Sequence, residues 1–137
     1  MKTSFTVSTL LPAAPETIFR AWLSTEGHAA MTGSPAKIEP RVGGTFSAWD
    51  GYITGKTLAL RPYSQIAQSW RTSEFSAADP DSRIEIVIEP AQGGALLTLT
   101  HSGIPPGQAE SYESGWEESY FAPMREYFAK SRNDKGQ

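Results

Sequence analysis

Apolar residues change their spacing several times along this chain, and each change marks an element. Phe5, Val7 and Thr9 alternate with Thr6, Ser8 and Leu10, the period-two pattern of a strand. Pro12 closes it, and Pro15 suits the first turn of a helix, where its missing N–H costs nothing. Ile18, Ala21 and Trp22 then fall on one helical face. Ser24-Thr25-Glu26-Gly27 interrupts that helix, and His28 to Met31 predicts a second short helical turn ended by Gly33. From Ala36 the period returns to two, predicting strands at 36–39, 45–49, 52–60 and 65–73. Gly43-Gly44, Asp50-Gly51 and Arg61-Pro62-Tyr63-Ser64 separate them. Asp-Gly predicts a hairpin, because a type I′ turn needs positive φ at both central positions. After the polar loop Asp79-Pro80-Asp81-Ser82, the residues Ile84, Ile86 and Ile88 alternate with Arg83, Glu85 and Glu89, giving one buried and one wet face. Gly93-Gly94 turns the chain into a last strand, Leu96 to His101.

The segment after the next Gly/Pro loop is helical and rich in aromatics. At about 100° per residue, Tyr112, Trp116, Tyr120, Phe121, Met124, Tyr127 and Phe128 share one half of the wheel. That arc is too wide for a surface stripe and fits a helix held in the concave face of a curved sheet. Glu113 and Glu117 fall inside the arc, where a carboxylate needs a partner, water or the helix N-terminus. Pro123 cannot donate to Ser119, and its ring clashes with that carbonyl, so the helix is expected to kink or loosen near 119–123. The predicted architecture is α+β: about six to seven antiparallel strands wrapped around a long C-terminal helix, with two short helices after the first strand. Residues 1–130 form a single domain, and 131–137 a disordered polar tail.

Composition narrows the chemistry. With 137 residues the chain supports one core, and 12 basic against 15 acidic residues leave a net charge of −3. Mild acidity without a basic run argues against nucleic acid as a partner. The absence of cysteine removes disulfides, thiolate nucleophiles and cysteine-based zinc sites. No stretch reaches the roughly 20 apolar residues of a membrane span, and the N-terminus has no apolar signal core. A soluble cytoplasmic protein, monomer or homodimer, is the expectation.

Candidate chemical groups are few. Gly51-Tyr52-Ile53-Thr54-Gly55-Lys56-Thr57 is one residue short of a P-loop and reads as strand, with no helix after it. There is neither a nucleophile-elbow motif nor a paired-histidine zinc motif. His28 lies in a Gly/Ala-rich turn and is expected at the surface. His101 shares the parity of Leu97 and Leu99 and points inward, where it can bind a ligand, act as an acid or base, or be a satisfied core group. Ile66, Gln68 and Trp70 share one strand face, an apolar–polar–aromatic row that suits a pocket wall or a core edge.

Longer stretches carry a resemblance. Gly55-Lys56-Thr57-Leu58-Ala59-Leu60-Arg61-Pro62, followed by Ile66 and Trp70, resembles the "G-k-v-l-e-v-x-P … L-x-x-x-W" strand pair of the activator of heat-shock protein 90 ATPase homologue family. Gly94 to Gly103 and Gly115-Trp116 resemble its closing strand and final helix, and Pro15 to Trp22 its opening helix. The resemblance spans roughly residues 5–130 and implies the START-like, helix-grip fold. Members of that superfamily include lipid carriers, hormone receptors and polyketide cyclases. In eukaryotes the family's domain is part of a co-chaperone that stimulates the chaperone's ATPase, so the resemblance implies a heat-shock protein 90-type partner.

Three functional expectations follow. The first is a non-enzymatic binder of a small hydrophobic or aromatic ligand, without cofactor or metal and without catalytic residues, in a cavity between sheet and helix. Its lining would be Gln68, Trp70, His101, Trp116, Glu117, Tyr120 and Met124. The second is a chaperone-partner module. The third is a cyclase- or hydrolase-like enzyme pairing His101 with Glu117.

Overall fold

The computed structural model describes residues 2–135, with side chains through Ser131. Seven strands form one antiparallel sheet: β1 (Phe5–Leu11), β2 (Lys37–Ile38), β3 (Thr45–Ala48), β4 (Ile53–Arg61), β5 (Gln65–Thr72), β6 (Ser82–Ala91) and β7 (Gly94–Ser102). Their spatial order is β1-β7-β6-β5-β4-β3-β2, so five consecutive hairpins make a meander and β1 closes it against the last strand. Helices α1 (Pro15–Trp22) and α2 (Thr25–Thr32) follow β1. The C-terminal helix grips the sheet as α3 (Ala109–Gly115), a π-helical segment over Trp116–Phe121, and α4 (Ala122–Lys135).

Inward positions follow strand parity. Ile84, Ile86 and Ile88 on β6 and Ala95, Leu97 and Leu99 on β7 are almost fully buried. The ladder aligns Thr57, Gln68, Ile84, His101 and Phe5 as one row across five strands of the inner face. A bulge between Thr57 and Ala59 breaks the β4–β5 register, and Leu58 within it is exposed. Gly55 is required by crowding: a Cβ there would lie 2.0 Å from the Ser69 carbonyl oxygen and 2.7 Å from the Phe46 ring.

Several local expectations are corrected. The strand expected at 36–39 is only two residues long, between Pro35 and Pro40, which lack an N–H for a ladder. The second helix starts earlier than the pattern implied, because the Ser24 side chain caps it by accepting from the Gly27 N–H at 3.0 Å. The β3–β4 connection is a four-residue loop, with Ala48 opposite Ile53 and positive φ at Trp49 (53°), Asp50 (55°) and Gly51 (89°). Left-handed backbone at Trp49 ends β3 one residue early. Pro123 loosens the helix as its chemistry demands: in the preceding π turn Ala122 donates to the Glu117 carbonyl, five residues back. Helix α4 continues to Lys135, across residues assigned above to a polar tail, and 136–137 lie outside the described residues. No helix among the described residues is long and apolar enough to cross a membrane.

Candidate functional site

A cleft of about 380 Å³ opens between the C-terminal helix and the β3–β4 hairpin. Its walls are Trp49, Tyr52 and Ile53 from the hairpin, Trp70 from β5, and Ser111, Tyr112, Gly115, Trp116, Ser119 and Tyr120 from the helix. Six of these ten are aromatic, and none is charged. The rings interlock edge to face or tilted: Trp70 to Tyr112 at 4.9 Å, Trp70 to Trp116 at 5.6 Å, and Trp116 to Tyr120 at 4.9 Å between centroids. Trp22 closes the set from behind, 5.1 Å from Tyr120. Helix α3 and the π turn together form the helical wall, and Gly115 at their junction leaves it without a side chain at that point.

Behind the rings, polar atoms are paired in two chains. Trp116 Nε1–H donates to His101 Nδ1 at 3.1 Å, so the ring proton sits on Nε2 and is given to Ser82 Oγ at 2.9 Å. Ser82 in turn donates to the Trp70 carbonyl at 2.6 Å. The second chain uses the opposite tautomer. His28 Nδ1–H donates to the Trp22 carbonyl at 3.0 Å, and its Nε2 accepts from the Tyr120 hydroxyl at 2.7 Å. Trp49 also packs edge to face on Tyr120, 6.4 Å between centroids, tying the hairpin loop to the helix. Gln68 accepts from Trp22 Nε1–H at 3.1 Å and donates to Thr57 at 3.2 Å. Among the described residues every solvent-sealed side-chain polar atom has a partner.

Burial sets the ionisation. It pushes His101 down to about 3 and lowers His28, so both imidazoles are neutral at pH 7. Burial, helped by its hydrogen bond to Glu74, raises Tyr52 to about 12. Tyr112 and Tyr120 are raised by burial as well, so all three cleft phenols stay protonated.

The expected site residues separate into three groups. Trp70, Trp116 and Tyr120 line the cleft. Gln68 and His101 are buried one layer behind it, and Met124 is fully buried in the core. Glu117 is turned to solvent and paired with Arg125, whose hydrogen bond lowers its carboxyl. It therefore neither lines the cleft nor pairs with His101, both of whose nitrogens are already occupied. Glu117 leaves the aromatic arc because the π turn closes one residue late, which shifts the angular register that a regular wheel assumes. His28, expected at the surface, is 2 % exposed: Gly27, whose Cβ would meet the Ala21 Cα at 2.9 Å, lets α2 pack directly on the end of α1. Sequence reasoning missed Trp49 and Tyr52. Their signal was the Asp-Gly turn, which marks a hairpin tip but does not say that the tip folds over a cleft.

The family model described as Activator of Hsp90 ATPase homolog 1-like protein matches residues 12–129. The chain belongs to this family. Within it, the chain is 30% identical over 115 residues to the mouse Activator of 90 kDa heat shock protein ATPase homolog 1, a match covering 84% of this chain and 34% of the relative. It thus spans about a third of the length of the curated relatives it matches. A solved Chromobacterium violaceum protein superposes with a TM-score of 0.76 at 27% identity, covering 93% of this chain and 98% of that one. An HSP90 activator from Plasmodium falciparum shares the fold, with a TM-score of 0.81 at 24% identity over 88% of this chain and 92% of that one.

Proposed function

We propose that this family member is a non-enzymatic binding domain for a small aromatic or hydrophobic molecule, held in the cleft between the β3–β4 hairpin and the C-terminal helix. The observation that carries the reading is the lining: six aromatic residues around about 380 Å³, a volume within the usual range of ligand sites. Two further features support it. Trp49 is held in the left-handed region, a conformation that costs a bulky residue roughly 1–2 kcal/mol, and it stands at the cleft's edge. The π turn, a feature often found at functional sites, supplies half of the opposite wall, Trp116, Ser119 and Tyr120. Catalysis is disfavoured because both histidines are neutral, sealed and doubly hydrogen-bonded. Trp49, Trp70 and Trp116 make the site its own reporter. Titrating the full chain with naphthalene should quench tryptophan emission saturably, and native mass spectrometry of freshly purified protein should retain a bound small molecule. An unchanged spectrum up to the solubility limit, with a bare chain mass, would contradict the reading.

Family membership favours a second reading, contact with a heat-shock protein 90-type chaperone in the cytoplasm. The relatives named as activators are about three times longer than the matched segment, so the activity of the whole protein does not transfer with the domain. Calorimetric titration of this chain into the chaperone of its host decides it: no heat at about 100 μM, where an interface of roughly 5 kcal/mol begins to register, removes this reading.

A further inference from the structure

The cleft's polar tips are unequally engaged. Tyr52 donates to Glu74, Tyr112 to Gln108, Tyr120 to His28, and Trp116 to His101. The Trp70 indole N–H differs: it has no hydrogen-bond partner among the described residues, although Trp70 is only 4 % exposed. No side-chain polar atom there is both sealed from solvent and unpaired, so this N–H must border open space, and the cleft is the open space that Trp70 lines. Its ring is locked by His101 at 4.6 Å and Tyr112 at 4.9 Å, while its backbone carbonyl accepts from Ser82. The donor is thus preorganised and unspent. The Ser111 and Ser119 hydroxyls on the helical wall are also without a partner among the described residues. No lysine, arginine, aspartate, glutamate or histidine lines the cleft, so a charged guest would leave water without a counter-charge.

We infer that the cleft selects neutral planar aromatic molecules carrying a hydrogen-bond acceptor, a carbonyl oxygen or ring nitrogen, which takes the proton of the Trp70 indole. This rests on the cleft being the binding site and names what enters it. The flat rings of Trp116 and Tyr120 supply stacking surface, which any arene would use. The Trp70 N–H discriminates among arenes, because a guest without an acceptor leaves that donor desolvated and unpaired.

The test uses three probes of similar shape at pH 8: isoquinoline, neutral with a ring-nitrogen acceptor; naphthalene, with none; and 2-naphthoate, an anion. Indole ¹H–¹⁵N resonances of the four tryptophans are followed in the full chain, with the Trp70 peak assigned from W70F. Isoquinoline should move the Trp70 N–H downfield, and naphthalene should leave it near its free position while shifting other cleft resonances. The isoquinoline-to-naphthalene affinity ratio should fall about fivefold in W70F, the worth of one net hydrogen bond. Binding of 2-naphthoate should be at least about tenfold weaker than that of naphthalene. If W70F does not fold, the Trp70 peak is assigned in the wild type from its nuclear Overhauser contacts to the His101 and Tyr112 rings, and its shift alone decides. Saturable binding of both neutral probes with a silent Trp70 N–H overturns the inference and leaves the cleft as a binding site. Equal binding of 2-naphthoate overturns the selection for neutral guests. If no probe shifts any cleft resonance, the binding reading falls and the inference with it.

Discussion

Two histidines held neutral inside the protein make its stability depend on pH in a way that can be worked out in advance. The perturbation is mild acidification. In the unfolded chain each imidazole titrates near its ordinary value of 6.5; in the folded chain burial pushes His101 to about 3 and lowers His28 as well. Between these values the unfolded state binds protons that the folded state refuses, so stability is complete above pH 6.5 and is lost as pH falls toward 3. For His101 alone the loss is about 2 kcal/mol by pH 5 and approaches 4–5 kcal/mol at the folded value. One proton gives a limiting slope of about 1.4 kcal/mol per pH unit. His28 acts in the same direction, so the wild-type slope between pH 6 and 5 should exceed that one-proton limit. Glu39 and Glu117, whose carboxyls are held low by hydrogen bonds, act mainly below their ordinary value of 4.5 and leave this window largely to the histidines. Urea denaturation at half-unit steps from pH 8 to 5 measures the slope, and an unchanged m-value shows that two-state unfolding persists. His101→Gln should bring the slope below the one-proton limit, since His28 is then the only histidine left. A stability curve flat from pH 7 to 5 would refute the reasoning, because it would mean that both imidazoles reach water in the folded state.

Other outcomes follow from packing. Trp116→Ala should cost about 3–5 kcal/mol in chemical denaturation, because the ring is 2 % exposed and packs on Trp22, Trp70, Tyr120 and His101; a loss under about 2 kcal/mol would make it chiefly a wet wall. Gly55→Ala should destabilise by about 2–4 kcal/mol, since the added methyl meets a backbone oxygen rather than a movable side chain, and an unchanged midpoint would contradict that. Pro123→Ala restores an N–H within the helix and should raise stability by about 1–3 kcal/mol, while weakening naphthalene binding as the π turn tightens toward α. Unaltered affinity in that variant would separate the π turn from the shape of the cleft.

Much of the fold was legible because period-two alternation and a wide aromatic arc each have one cheap solution. The alternation of Ile84, Ile86 and Ile88 fixed which face of β6 is buried, and the same parity placed His101 inward. Trp70 was readable from strand parity, and Trp116 and Tyr120 because the aromatic arc is wide enough to tolerate the π turn's shift of register. Trp49 and Tyr52 were not, since their position depends on a left-handed loop that has no period. His28 was hidden by an interhelical approach that only the Gly27 packing reveals, and Glu117 by a change of helical register near Pro123. Each miss has the same physical source. Local spacing reports which face a residue occupies in a regular element, whereas these positions are set by irregular backbone or by the packing of one element on another.

The closure of the sheet by β1 also bears on how the protein is made. Phe5 pairs with His101, and Leu11 with Ala95, so the first strand has no neighbour until residues 94–102 have left the ribosome. The hairpins from β3 to β7 are local and can form as they emerge, but Phe5, Leu11, Ile18 and Trp22 stay without their core until the end. Synthesis at about 5–20 residues per second leaves that apolar N-terminal segment uncovered for several seconds. During that interval it is itself the kind of sequence that a nascent-chain holdase binds, and the delay ends only when the last strand arrives.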